Sequence, residues 1–286
     1  MGNIYKHIRK IIFVIVLVFL FEDFSCVCGM AKLCKPGDLG EPRSSFELGS
    51  ASNIDGSNVI ISVFVDTPSR KWSEKEKERS LECLGGACDY ISSECDKYGA
   101  SPDFIYDWKE DAKLLYNAKI LREPGGDEFE EYLDKHIAVW VKYLLCTHFE
   151  NTHNDHFLTG YDRFKDKYEA DNVFIICFFN MDGRAYAICY DGIDSPNESL
   201  VAYRNSNEAT LAHEILHLFG THDFYEGAEY TSDAVKYIMG KYPNDIMLKT
   251  TMNNDKIKES LGELSAYHLG LLDSVEDIEV FPQLLR

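Results

Sequence analysis

The stretch that constrains this chain most is Leu211 to Asp223, LAHEILHLFGTHD, which sets His213, Glu214 and His217 in the pattern HExxH and follows them with Gly220 and Asp223. On an α-helix, residues four apart differ by about 40° in azimuth and about 6 Å in height, so His213 and His217 can reach one metal ion from one face. Glu214 follows the first of them, where its carboxylate can serve as a base instead of a ligand, the arrangement of a zinc site with its own general base. Asp223 would lie about 15 Å further along an unbroken helix, too far to share the ion. The helix must therefore stop first, and Gly220 can adopt the left-handed conformation that ends a helix and turns the chain back. HExxH alone arises by chance in roughly one chain per hundred of this length, and the added Gly and acid make the whole pattern far rarer.

The 286 residues, 45% of them hydrophobic, suffice for one sizeable core or two modest ones. The formal charge of −19 disfavours nucleic acid and anionic membrane surfaces, because phosphates repel such a protein. The one basic cluster is N-terminal: Lys6, Arg9 and Lys10 precede an apolar run from Ile11 to Phe21, with small residues near Gly29 and Ala31. Such a segment predicts a secretory signal over residues 1–31, and hence a secreted protein. An uncleaved anchor is the alternative, although the run is short of the roughly twenty residues that span a bilayer. Cys34, Cys83, Cys88, Cys95, Cys146, Cys177 and Cys189 follow it. In an exported chain some of these should form a disulfide, and their odd number leaves at least one free, metal-bound or intermolecular.

Residues 32–58 are rich in Gly, Ser, Pro and Asp and predict an extended lead-in or short pro-segment, with a single domain over 59–286. Val59 to Val65 is a β-branched and aromatic run that predicts a buried strand. Ser73 can cap a helix whose Leu81, Leu84, Cys88, Ile91 and Cys95 share one face, with Gly85-Gly86 as a place where that helix could loosen. Phe104 to Tyr106 predicts a second strand. A second long helix follows Asp127, its face marked by Phe129, Leu133, Ile137, Trp140 and Leu144. His148, His153, Asp155 and His156 lie beyond it in a polar stretch that reads as an exposed loop. Val173 to Phe179 and Ala185 to Tyr190, joined through Asp182-Gly183, predict a hairpin, and Leu200 to Tyr203 a fifth strand. Asn207 is placed to cap the HExxH helix. Tyr242 to Met247 reads as a turn carrying a methionine, with Met239-Gly240 as a second candidate. Ile257, Leu261, Leu264, His268 and Leu271 describe a last helix, on which His268 reads as a hydrogen-bonded core residue.

With HExxHxxGxxD preceded by alternating strands and helices, the chain over roughly residues 59–272 resembles the metzincin clan of zinc metallopeptidases, in the Asp-ligand variant of small secreted peptidases similar to snapalysin. The resemblance implies an α/β (α+β) fold. A twisted, mostly parallel five-stranded sheet with an antiparallel edge strand would pack on two long helices and the zinc helix, with a C-terminal helix after them. It implies one catalytic zinc ion held by His213, His217 and Asp223, with Glu214 as general base, Gly220 as the turning point and Met247 as the floor. His222, one residue earlier, is the alternative third ligand. The implied partner is a protein or peptide, paired to the edge strand at Ala185, Tyr186, Ala187 and Ile188, with the enzyme working as a monomer. Cys34-Lys-Pro36-Gly-Asp38 loosely resembles the inhibitory cysteine segments of some zinc peptidases, though with Pro and Gly in a different order; a disulfide or a free thiol is the alternative. The competing expectation is an exported zinc-containing binding module or adhesin without turnover.

Overall fold

The computed structural model describes residues 51, 53–119, 164–189, 199–225, 230–250, 256–281 and 284. The N-terminal segment, Cys34, Cys146, the second long helix and the His148 to His156 stretch lie outside them. The described residues form a mixed α/β structure around a six-stranded sheet ordered β2-β1-β4-β6-β5, with β3 also on β1. β1 (Ser57–Asp66), β2 (Asp103–Ile105), β3 (Leu115–Lys119), β4 (Asn172–Phe179) and β6 (Ser199–Tyr203) are mutually parallel where they pair, and β5 (Tyr186–Ile188) runs antiparallel to β6.

The central strands are apolar on both faces because both faces are covered. On one side Ile60, Phe64, Phe174, Ile176, Phe178, Leu200 and Ala202 face the helices; on the other Val59, Ile61, Val63, Val65, Val173, Ile175, Phe179 and Val201 pack with Leu114 and Phe164. On the helical side Phe64 stacks on Phe178 with centroids 4.9 Å apart, and Trp72 meets Phe64 edge-on. The Trp72 indole N–H lies 3.1 Å from the Val65 carbonyl and 3.2 Å from that of Phe178, so the ring closes the sheet end without leaving a buried donor unsatisfied.

Helix α1 (Glu74–Asp96) starts at Ser73 in a capping box with Glu76, and buries Leu81, Leu84, Cys88, Ile91 and Cys95, as their spacing predicts. It runs unbroken through Gly85 and Gly86, so these do not loosen it. A Cβ on Gly85 would lie 2.7 Å from the Tyr106 hydroxyl oxygen and one on Gly86 2.5 Å from the Glu208 carboxyl carbon, so both residues serve close approach. The HExxH helix α2 (Glu208–Leu218) then packs on the same side of the sheet, followed by α3 (Ser232–Lys241), α4 (Glu263–His268) and α5 (Asp277–Val280).

Several expectations need correction. β4 and β5 form no hairpin: β6 lies between them, and their link is tied to the turn after β6. There Asn205 brackets Gly183 through its N–H and C=O, and Asp182 makes a two-pronged ion pair with Arg204. β6 is buried throughout and takes the inner position, while half-buried β5 takes the edge. β3, α3 and α5 are additional elements, and the sheet has six strands where five were expected. The last helix is shorter than its apolar pattern, because Ser260 bridges Asp245 and leaves Ile257 and Leu261 packed in extended chain. Cys83, Cys88, Cys95, Cys177 and Cys189 are all thiols, so no disulfide occurs among the described residues. Among those residues no helix is long and apolar enough to cross a membrane.

Candidate metal centre

Helix α2 begins where Asn207 accepts a hydrogen bond from the Thr210 N–H at 2.9 Å, and carries His213 and His217 on one face. It stops at Phe219, and Gly220 follows with φ 103°, in the region that only glycine enters freely. The reversal brings Asp223 back to the helix. His213 Nε2 and His217 Nε2 stand 3.2 Å apart, and Asp223 Oδ1 lies 3.1 and 3.3 Å from them.

That triangle has the dimensions of three ligands around one ion. With metal–ligand distances of about 2.0–2.1 Å and tetrahedral angles, neighbouring donors sit roughly 3.3 Å apart. The protonation pattern agrees. His213 Nδ1 lies 2.9 Å from the Ile246 carbonyl and His217 Nδ1 2.9 Å from the Thr221 carbonyl. A carbonyl only accepts, so each ring donates its Nδ1 proton there and turns Nε2 inward. Asp223 Oδ1 is buried without a hydrogen-bond donor. Two imidazole nitrogens and a carboxylate oxygen at these separations are a donor set that suits a divalent cation. Burial works to raise the Asp223 carboxyl, but the two imidazoles outweigh it and hold the group well below the usual carboxylate range.

His222 does not take this place. Its ring packs edge-on against Tyr230 and His268, while Asp223 makes the approach. His268 is buried and bonded to the Leu284 carbonyl at 2.9 Å, the core role its position on the apolar face suggests.

Glu214 is buried beside the triangle and offers a carboxylate within 4.8 Å of the two histidine ligand atoms. Burial pushes it up to about 7; Asp223 adds to the rise, while His213, Arg184 and the Ala187 backbone N–H draw it down. A carboxyl near 7 can take up and release a proton close to neutrality. The Ala187 N–H comes from β5, so the edge strand lies alongside the HExxH helix. Ala185 is buried, and Tyr186 to Ile188 are half-buried.

Met247 is fully buried, its sulfur 3.6 Å from the Thr221 hydroxyl and its carbonyl 2.9 Å from the Phe224 N–H. Met239, the other candidate, is 54% exposed on α3 and has no part in the site. The turn holding Met247 is pinned by Asp245, which accepts from the Met247 N–H at 2.8 Å, the Gly262 N–H at 2.9 Å and the Ser265 hydroxyl at 2.9 Å. Ile246, between Asp245 and Met247, supplies the carbonyl that orients His213.

Sequence reasoning missed four parts of this arrangement. The carbonyls of Thr221 and Ile246 carry no side-chain signature. Asp245 could have been noticed as an acid inside an apolar turn. Tyr225, two residues past Asp223, donates its hydroxyl to Asp223 Oδ2 at 2.5 Å and accepts from Arg184 Nη2 at 2.8 Å. No family model, curated protein or solved structure matches the chain.

Proposed function

We propose that this protein is a zinc-dependent endopeptidase, exported through its N-terminal segment and built on a metzincin-like plan. The observation that carries the reading is the triangle of His213 Nε2, His217 Nε2 and Asp223 Oδ1, with edges of 3.1–3.3 Å and a buried Glu214 beside it. His213, His217 and Asp223 would hold the ion. When bound, zinc supplies a Lewis acid that acidifies water and polarises a carbonyl. Glu214 removes the proton of the attacking water and passes it to the departing amine, a shuttle that its buried place beside the triangle allows. The Ile246 and Thr221 carbonyls hold the imidazoles in the tautomer that points Nε2 inward. Ala185, Tyr186, Ala187 and Ile188 border the site on the outermost strand, where an extended peptide could pair as an added strand.

The test combines metal analysis of the purified protein with cleavage of a peptide library. The wild type should bind one zinc and cleave, and Glu214→Ala should bind zinc and lose cleavage. Full activity in Glu214→Ala would exclude the mechanism. Zinc uptake by a wild type that cleaves nothing would instead establish a binding module.

A further inference from the structure

Arg184 sits on the link into β5, exposed, between Gly183 held by Asn205 and the buried Ala185. Its guanidinium donates to the Tyr225 hydroxyl at 2.8 Å and lies 5.9 Å from the centre of that ring. Tyr225 in turn donates to Asp223 Oδ2. A cation is thus held two hydrogen bonds from a residue of the ligand triangle, and its charge is felt by Glu214. The nearby carboxylate of Asp182 is engaged by Arg204. Arg184 forms no ion pair among the described residues, and one of its five donors is in use.

We propose that Arg184 selects substrates carrying a carboxylate close to the bond to be cut. The inference rests on the peptidase reading and adds to it a substrate class. A planar guanidinium matches a carboxylate through two parallel hydrogen bonds, a geometry that neutral side chains do not offer. Its anchorage on Tyr225 and on a tethered loop reduces the ordering that binding would cost. An extended peptide advances about 3.3 Å per residue, so a fork this close to the triangle addresses a carboxylate within about three residues of the reacting carbonyl. The chain as a whole carries −19. An unpaired cation on so acidic a protein draws an anionic group that the rest of the surface repels. The carboxylate can belong to an Asp or Glu side chain or to the peptide's own C-terminus.

The test uses zinc-loaded Glu214→Ala protein, which removes the base from the binding measurement. The probes are fluorescent six-residue alanine peptides with one Glu, Gln or Lys two positions to either side of the central bond, each with a free or amidated C-terminus. The Glu peptide should bind about fivefold more tightly than the Gln peptide, the upper range for an exposed ion pair. That preference should vanish on adding Arg184→Gln and invert towards Lys on adding Arg184→Glu. A preference that follows the free C-terminus and disappears on amidation, with the same dependence on Arg184, supports the terminal carboxylate as the source. Binding that depends neither on Glu against Gln nor on amidation of the C-terminus, or a preference that survives Arg184→Gln, would overturn the proposal. So would an Arg184→Gln effect confined to zinc affinity in chelator competition, since that would make Arg184 a brace for Tyr225 and Asp223. Cleavage of the same peptides by the wild type is read separately. Its absence beside an Arg184-dependent preference would sink the peptidase reading and support this selectivity.

Discussion

Asp245 carries the turn beneath the candidate metal centre, and its protonation should be visible in the stability of the metal-free protein. The carboxyl is 1% exposed. Burial pushes it from 3.8 to about 6, against the pull of the Met247 N–H, the Ser265 hydroxyl, the Gly262 N–H and the charge of His213. In the unfolded chain the group titrates near 3.8, so between that value and 6 the folded protein binds more protons. The stability this provides is fully present below about pH 3.8 and is lost as pH rises through about 6. At about 1.36 kcal/mol per pH unit the whole effect is about 3 kcal/mol. Asp245→Asn keeps the shape and removes the titration. Urea unfolding of both proteins from about pH 4 to pH 8, at unchanged m-value, should show the wild type losing nearly all of that amount relative to the variant. A constant offset from the weaker hydrogen bonds of Asn cancels in this comparison. Parallel stability curves across the range would refute the reasoning, and with it the idea that a buried ionised carboxylate holds the Met247 turn at neutral pH.

Gly220→Ala should cost about 1–3 kcal/mol, because φ 103° is open to glycine and strained for alanine, and it should also weaken zinc uptake, because the return of Asp223 starts there. Chemical unfolding and chelator competition read the two effects, and unchanged zinc affinity would detach Asp223 from the site. Ser73→Ala removes the capping box of α1 and should cost about 1 kcal/mol in urea unfolding, with zinc affinity unaltered; a loss of zinc binding would show that α1 does more than support the sheet.

Much of the site was legible because its chemistry follows local chain geometry. The i,i+4 histidines, the intervening Glu214, the helix stop at Gly220 and the offset to Asp223 are consequences of helical pitch and of one glycine. The strands β1, β4 and β6 were legible because a buried strand leaves a continuous apolar run. The hairpin expected from Asp182-Gly183 was misplaced because a turn signal says where the chain bends and nothing about which strand enters the gap. β6 fills it, being the strand that both faces of the sheet can bury. The last helix was overextended because apolar spacing is blind to the bridge between Ser260 and Asp245, which holds that segment in extended chain.

By itself the sequence determined the candidate ligand types, their helix, its cap and its break, since each rests on interactions between residues within a few positions of one another. Only the tertiary structure brings Asp223, and not His222, against the two histidines: the two are neighbours, and Tyr225 hydrogen-bonds the one while Tyr230 and His268 pack on the other. It also decided which methionine lies beneath, by burying Met247 and exposing Met239. The carbonyls of Ile246 and Thr221 belong to the same class. They set the tautomers of the two histidines through backbone atoms that every residue possesses, so their effect arises from where the chain has folded and from no property of the side chains they belong to.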